Sequence, residues 1–465
     1  MTVATQTVAS RLAGIIGTEN VFIDPARLAL YEIDGKRPSA VARPANAEET
    51  AELVKFAAAE KLAVIPMGAR TKLAVGLPPR QYDLALDMTR LDRIVSYDPG
   101  DLTLSVEAGL PLCKLQTTLS EHGQFLPLAV PFMARTTVGG TIASGMEGPL
   151  RHSYGTARDY VLGMEFVTGE GTLAKSGGRV VKNVTGFDLH KLMIGALGTL
   201  GIITKINFRT FPQPRSSRGF VATFSASARA FDMRRRIAQS PLRPMTLDIL
   251  SPRAADLFAG ESAAEITGSR MISNPLSNKH WALTTGFAGN EALLARYEIE
   301  LRNMAEASGG ESVSVLAKDH LHPAWERKRE FIPIALAASS AATIVKISVL
   351  PSQLNDVLVK AQAYAENYAV PWVAMARGCG VVYFALLPAT RDEDARTRIS
   401  QAADQIQATA SSVGGNSTIP WCPSEWKGTL RIWGPDRGAS SPMQKIKKVF
   451  DPQGTLSPGR FVGGL

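Results

Sequence analysis

The sequence predicts an α+β protein of two or three lobes, and three observations carry that prediction. A helix, a strand and a glycine-bearing turn follow one another between Asn46 and Lys72. Fourteen of the forty glycines crowd between Gly139 and Gly201. Beyond a break at Pro212 to Ser217, strands and helices alternate again as far as about Pro388. The length of 465 residues exceeds what one hydrophobic core usually fills.

The elements read as follows. Asn46 is placed to cap a helix, with Glu49 in the reciprocal position. Leu53, Val54 and Ala57 share one face of that helix, and Lys61 closes it. Leu62–Ile65 is a short buried strand that runs straight into the turn at residues 66–72. Such turns open at the C-terminal ends of strands, where α/β units place ligands. Leu84–Met88 and Leu102–Val106 are further strands, and Pro111 opens a helix that ends near Gly123. Helices and strands tolerate glycine poorly, so the region 139–201 must be rich in turns and close backbone approaches. Ile202–Phe211 is a strand. The second lobe begins with the strand Gly219–Phe224 and a basic helix at Ala228–Gln239. It continues through the strand Thr343–Leu350, the helix Ser352–Tyr368 and the strand Gly380–Leu387. Ala402–Ser412 is helical, and Val413–Ser441 is irregular. No internal repeat is visible. The expected division is 1–214, 215–400 and a returning C-terminal segment, 401–465.

Composition narrows the function. Hydrophobic content of 45% with 20% charged residues suits an ordinary globular protein. The net charge of +9 is spread out, with no long basic tract and no nucleic-acid-binding motif. Cys113, Cys379 and Cys422 stand far apart with no CxxC pair, which supports neither a zinc site nor an iron–sulfur cluster. Met1 to Arg11 lacks the basic start and apolar core of a signal peptide. The longest apolar stretch, Phe331 to Leu350, is broken by Pro333 and Lys346, against the ~20 apolar residues of a membrane span. A cytoplasmic location is expected, with no metal. His320 and His322 would share one strand face if extended, which is an incomplete ligand set.

Three segments carry the chemistry. The turn Pro66, Met67, Gly68, Ala69, Arg70, Thr71 and Lys72 has small residues that let backbone N–H groups approach a diphosphate, beside a hydroxyl and two cations. Read alone, it is equally a surface turn. The second segment holds Thr137, Val138, Gly139, Gly140, Thr141, Ser144 and Gly145, followed by Tyr154 to Gly163. The third runs from Gly195 through Gly201, Ile202 and Ile203. Their order and spacing are harder to dismiss than any one of them.

Together the three segments resemble the FAD domain of the vanillyl-alcohol-oxidase, or PCMH-type, superfamily, over roughly Arg43–Phe211 and the tail. The resemblance implies a two-subdomain FAD-binding domain, a smaller ferredoxin-like cap over the substrate, and a tail returning to the flavin. It implies that Pro66 to Lys72 hold the FAD diphosphate and that Thr137, Val138, Gly139, Gly140, Thr141, Ser144 and Gly145 flank the flavin. Gly201, Ile202 and Ile203 would lie near the adenine. Gly178 to Leu189 resembles a stretch shared by glycolate oxidase flavin subunits, with Phe187 where tyrosine is usual. The ending Phe450-Asp451-Pro452 to Pro458-Gly459-Arg460 resembles the family's tail, with Ser457 where asparagine is common. The pyrophosphate turn has no histidine or cysteine, so non-covalent FAD is expected.

This subfamily likeness implies oxidation of a 2-hydroxy acid, with a second flavin subunit and an iron–sulfur subunit as partners. Through them the protein would sit peripherally at the inner membrane face. The His-Gly pair usual in catalytic subunits is absent, and arginine stands in the comparable place, Ala376-Arg377-Gly378. Arg377 is a candidate carboxylate ligand or a structural arginine between lobes. Arg329 and Arg431 are lesser candidates. Trp421, Trp426 and Trp433 line a pocket or fill a core. A self-sufficient oxidase of another alcohol and a catalytically silent FAD subunit are the alternatives.

Overall fold

The computed structural model describes residues 3–179, 186–268, 276, 278–316, 318–436 and 438–465, with backbone alone at 3–5 and 318–322. The Val180 to Thr185 part of the glycolate-oxidase-like stretch therefore lies outside the described residues.

The N-terminal lobe has two sheets. In the first, Ala40–Ala42, Leu84–Asp87 and Val64–Met67 run parallel, with the short antiparallel strand Val21–Phe22 at one edge. Parallel strands need both faces covered. Here the helices Val3–Ile16 and Ala47–Ala59 cover one face with Leu12, Leu53, Val54 and Ala57. The Ala47–Ala59 helix starts where the sequence puts it: the Asn46 side chain accepts from Glu49 N, and the Glu49 carboxylate accepts from Ala45 N. The second sheet is antiparallel, in the order Ile94–Asp98, Thr103–Glu107, Ile202–Arg209, Val161–Val167, Leu173–Gly177.

One eight-stranded antiparallel sheet builds the C-terminal lobe. Its order is Ser312–Leu316, Ser217–Phe224, Trp281–Ala288, Thr246–Leu250, Trp372–Arg377, Val381–Leu386, Thr343–Ser348, Asn416–Trp421. Each half is a strand–helix–strand–strand–helix–strand unit, and the two join where Thr246–Leu250 pairs with Trp372–Arg377. The fold thus repeats where the sequence shows no repeat. Residues as far as Trp421 belong to this sheet, beyond the expected boundary at 400, because Asn416–Trp421 completes the hydrogen bonding of Thr343–Ser348. Side chains alternate across the sheet. Phe220, Leu247, Leu283, Val345, Ala376 and Phe384 pack outward beneath the helices Ser227–Gln239, Glu291–Ala307, Leu354–Asn367 and Glu393–Ser412. Val221, Leu250, Met375, Val381 and Tyr383 point inward and share one core with Leu104, Val138 and Ile142 of the N-terminal lobe.

Two local expectations change. Residues 318–329 form a helix, Lys318–Arg329, so His320 and His322 do not alternate along a strand; their side chains lie outside the described residues. Val138–Ser144 is a helix rather than a loop, capped by the Thr137 hydroxyl, which accepts from Gly140 N at 3.3 Å. Trp421 and Trp426 are core residues, and Trp433 packs edge-on against Phe461 of the tail.

The tail returns to the N-terminal lobe after the helix Ser440–Phe450. Val64 N donates to Thr455 O and Ser457 N donates to Val64 O, both at 2.8 Å, so the tail runs beside the Val64–Met67 strand. Asp451 fixes this path. Its buried carboxylate accepts from Lys447 Nζ at 2.6 Å, Thr455 N at 2.9 Å and Leu456 N at 2.8 Å. Asp451→Ala removes the counter-ion of Lys447, whose ammonium keeps only Thr199 O and Leu456 O, and strands two amides, for which a loss of about 3–5 kcal/mol is expected. Urea unfolding of the variant beside the parent protein measures it.

Candidate active site

A cleft opens at the C-terminal end of Val64–Met67, where α/β units place ligands. Pro66, Met67, Gly68, Ala69, Arg70, Thr71 and Lys72 form one wall. Thr137, Gly139, Gly140 and Ser144 form the second, and Gly201, Ile202 and Ile203 the third. The structure therefore brings together three segments distant in sequence. Val138, Thr141 and Gly145 do not line the cleft. Val138 and Thr141 are on the rear face of the helix, in the core, and Gly145 is its left-handed C-cap. Helix geometry separates them: neighbours in sequence point about 100° apart.

Close packing requires the small residues. A Cβ on Gly68 would lie 2.1 Å from Thr137 Oγ1, and one on Gly139 would lie 2.6 Å from Ala108 Cβ. Arg70 adopts a left-handed φ of 62°. Its guanidinium lies over the Tyr31 ring at 4.6 Å and 3.5 Å from Asp87 Oδ2, so its charge is already shared. Lys72 and Arg460 differ. Lys72 Nζ donates to Thr136 Oγ1 at 2.6 Å, and burial pushes its pKa down to about 7 against a weak opposing pull from Glu330. Arg460 Nη2 donates to Leu73 O and Val75 O, while its buried Nη1 has no partner. A glycine-walled cleft with unmet cationic donors fits a large anionic cofactor. Arg460, Leu197 and Met88 were not among the expected contacts. The tail motif was the available signal for Arg460, since it pointed toward this site.

A second cluster lies on the inner face of the eight-stranded sheet. Asp248 and Arg377 stand directly opposite in the register of the central strand pair, with Arg377 Nη1 3.1 Å from Asp248 Oδ1. Lys328 approaches from the Lys318–Arg329 helix, its Nζ 3.3 Å from Asp248 Oδ2. Burial lowers the Lys328 pKa, and Asp248 only partly restores it. Nearby, Glu147 accepts from Lys346 Nζ at 2.7 Å and from Arg151. Burial opposes the Glu147 charge, but the two cations outweigh it and hold its carboxyl below the usual range. Arg234 Nη1 donates to Gly378 O at 3.0 Å. His152 has its pKa lowered by burial; Asp248 pulls it up and Arg234 pushes it down.

The cluster is out of balance. Four basic side chains, Arg151, Lys328, Lys346 and Arg377, meet two carboxylates, Asp248 and Glu147. Arg377 Nε, Tyr383 OH and His152 Nδ1 are buried without a hydrogen bond. Buried groups of this kind are ordinarily satisfied, so the cluster has polar capacity to spare. Arg377 is in this cluster, paired with Asp248. Arg329 instead pairs with Glu326 and Glu330, and Arg431 sits at the surface with Asp404. His152, Lys328 and Asp248 had no sequence signal of their own; the sheet register brings them together. Among the described residues no group of three metal-binding side chains occurs, and no helix is long and apolar enough to cross a membrane.

Comparison with known proteins agrees with this geometry. Residues 38–177 match the FAD binding domain family, and residues 213–418 match the C-terminal domain of FAD linked oxidases. Glycolate oxidase subunit GlcD of Bacillus subtilis (strain 168) is 26% identical over 467 residues, covering 98% of this chain and 97% of that protein. Glycolate oxidase subunit GlcE of Escherichia coli (strain K12) is 38% identical over 167 residues, 36% of this chain and 47% of that protein. Among solved structures, p-cresol methylhydroxylase with substrate bound superposes with a TM-score of 0.77 at 17% identity, covering 99% and 97% of the two chains. The chain belongs to the FAD linked oxidases and shares the fold of p-cresol methylhydroxylase. It is an FAD-dependent oxidoreductase.

Proposed function

We propose that this protein oxidises a 2-hydroxy acid as the FAD-binding component of a glycolate-oxidase-like complex. The observation that carries the proposal is the surplus of basic side chains, with unmet donors, on the sheet face that packs against the N-terminal lobe. The glycine-lined turn 66–72 and the Thr137–Ser144 wall hold FAD, with Lys72 and Arg460 facing its diphosphate. No cleft-lining residue is histidine or cysteine. FAD is therefore non-covalent, and acid precipitation releases it to the supernatant.

Arg377 and Lys328 bind the substrate carboxylate, where a guanidinium offers paired donors. His152 Nδ1 takes the hydroxyl proton, since its lowered pKa keeps the ring neutral at neutral pH. The Tyr383 hydroxyl orients the same oxygen. FAD, when bound, supplies the acceptor for the α-hydrogen as hydride. The lobe interface excludes water from the cluster. Three separated cysteines provide no cluster ligands, so electrons leave through an iron–sulfur partner, beside a second flavin subunit, at the membrane face.

The test is anaerobic titration of the purified chain with glycolate, lactate and 2-hydroxyglutarate. Bleaching of the flavin by one of them supports the proposal, since it shows the chain carrying out the reductive half-reaction. Flavin that dithionite reduces but no hydroxy acid does, with or without copurified partners, would sink it.

A further inference from the structure

Lys72 stands apart from the other cations of the cofactor cleft. Its side chain is 9% exposed and lines the cleft. Its ammonium has two hydroxyl acceptors, Thr136 Oγ1 at 2.6 Å and Thr71 Oγ1 at 3.2 Å, and lies 5.8 Å from the centre of the Phe132 ring. Among the described residues no carboxylate lies within ion-pair distance of it. Glu330, the nearest acidic influence, is committed elsewhere: it accepts from Phe132 N and Met133 N and pairs with Arg329. Arg70 shares its charge with Asp87, and Arg460 is clamped by two carbonyls. A buried ammonium without a counter-ion favours its neutral form. A diphosphate arriving in the cleft reverses that preference.

We propose that Lys72 takes up a proton as FAD binds, so that the diphosphate and its counter-charge enter the cleft together. Cofactor affinity then depends on pH through this one side chain. The groups against Lys72 are Thr71, Phe132, Thr136 and Glu330, and Arg70 and Arg460 line the same cleft. Carboxylates and guanidinium groups ordinarily titrate outside pH 7–9, which leaves the lysine to respond in that window. The burial-lowered pKa of about 7 in the empty cleft sets the lower edge of the window.

The experiment removes FAD reversibly from the full chain and measures rebinding by flavin fluorescence between pH 7 and 9. Uptake of one proton weakens the Kd about tenfold per pH unit above the free-state pKa. Lys72→Met is expected to give a flat profile. Lys72→Arg, which stays charged, is expected to be flat and to bind more tightly than the parent protein at pH 9. ADP-ribose carries the diester diphosphate without the flavin, and its affinity, read by displacement of FAD, should follow the parent slope. A flat parent profile, an unchanged slope in Lys72→Met, or a slope with FAD but none with ADP-ribose would overturn the proposal.

A second readout has the opposite sign. The unfolded chain keeps its lysine protonated to ~10.4, whereas the empty fold releases the proton above about 7. Unfolding therefore takes up a proton in this window, and apoprotein stability rises with pH. Lys72→Met should remove that part of the rise.

Discussion

Gly139→Val is expected to yield protein that has lost its yellow colour. Gly139 N donates to Ala108 O at 2.7 Å, and a Cβ there would meet Ala108 Cβ at 2.6 Å and Ala108 O at 2.8 Å. The obstruction is largely backbone, so no side-chain rotation relieves it. The first turn of the Val138–Ser144 helix must lift from the sheet, and the second cleft wall moves with it. Overpacking of this kind costs about 1–3 kcal/mol for small additions and more for a branched side chain. A loss of at least about a hundredfold in FAD affinity follows, since ~1.4 kcal/mol is tenfold. Gly428→Ala is the control. It has open space around the added methyl and an ordinary φ, and should retain FAD. The flavin-to-protein absorbance ratio of both variants decides the matter.

The second large effect is expected at Arg377. Arg377→Met should keep its flavin but lose hydroxy-acid-driven reduction by about 10²–10³-fold, equivalent to ~3–4 kcal/mol for truncating a buried charge contact. It also leaves Asp248 to Lys328 alone, so a thermal melt must accompany the kinetics. Arg377→Lys restores the charge without the planar fork and should recover stability better than rate. His152→Asn should behave differently, with a loss of about 10²–10⁴-fold that is greatest at neutral pH. In the parent protein kcat/KM falls as pH drops below the lowered imidazole pKa, because the protonated ring accepts nothing. The variant should lack that acidic limb. Rates insensitive to both substitutions would place the chemistry elsewhere.

Local features of the fold were legible in the sequence because local rules decide them. Asn46 and Glu49 announced a helix start, and Pro111 preceded a helix that runs Leu112–Glu121. The three glycine-bearing segments announced the cleft, since only small residues permit such approaches. Long-range pairing was not legible. Nothing near Asp248 in sequence indicates Arg377, 129 residues away, until the strand register places them side by side. His152 sits in a short helix, Arg151–Tyr154, whose residues look like any loop. The duplicated cap escaped notice for a related reason. Its two halves share strand order and burial alternation, which many side chains satisfy, rather than residue identities.

The hydrogen bonds from Arg460 to Leu73 O and Val75 O span 387 and 385 residues. A ribosome adding 5–20 residues per second needs roughly 20–80 s to cross that interval. Throughout that time the nascent N-terminal lobe lacks the strand-like neighbour of Val64–Met67 and one cation of its cleft. Flavin loading is therefore a late event in biogenesis, and shortage of the vitamin precursor would leave completed, empty chains rather than stalled ones.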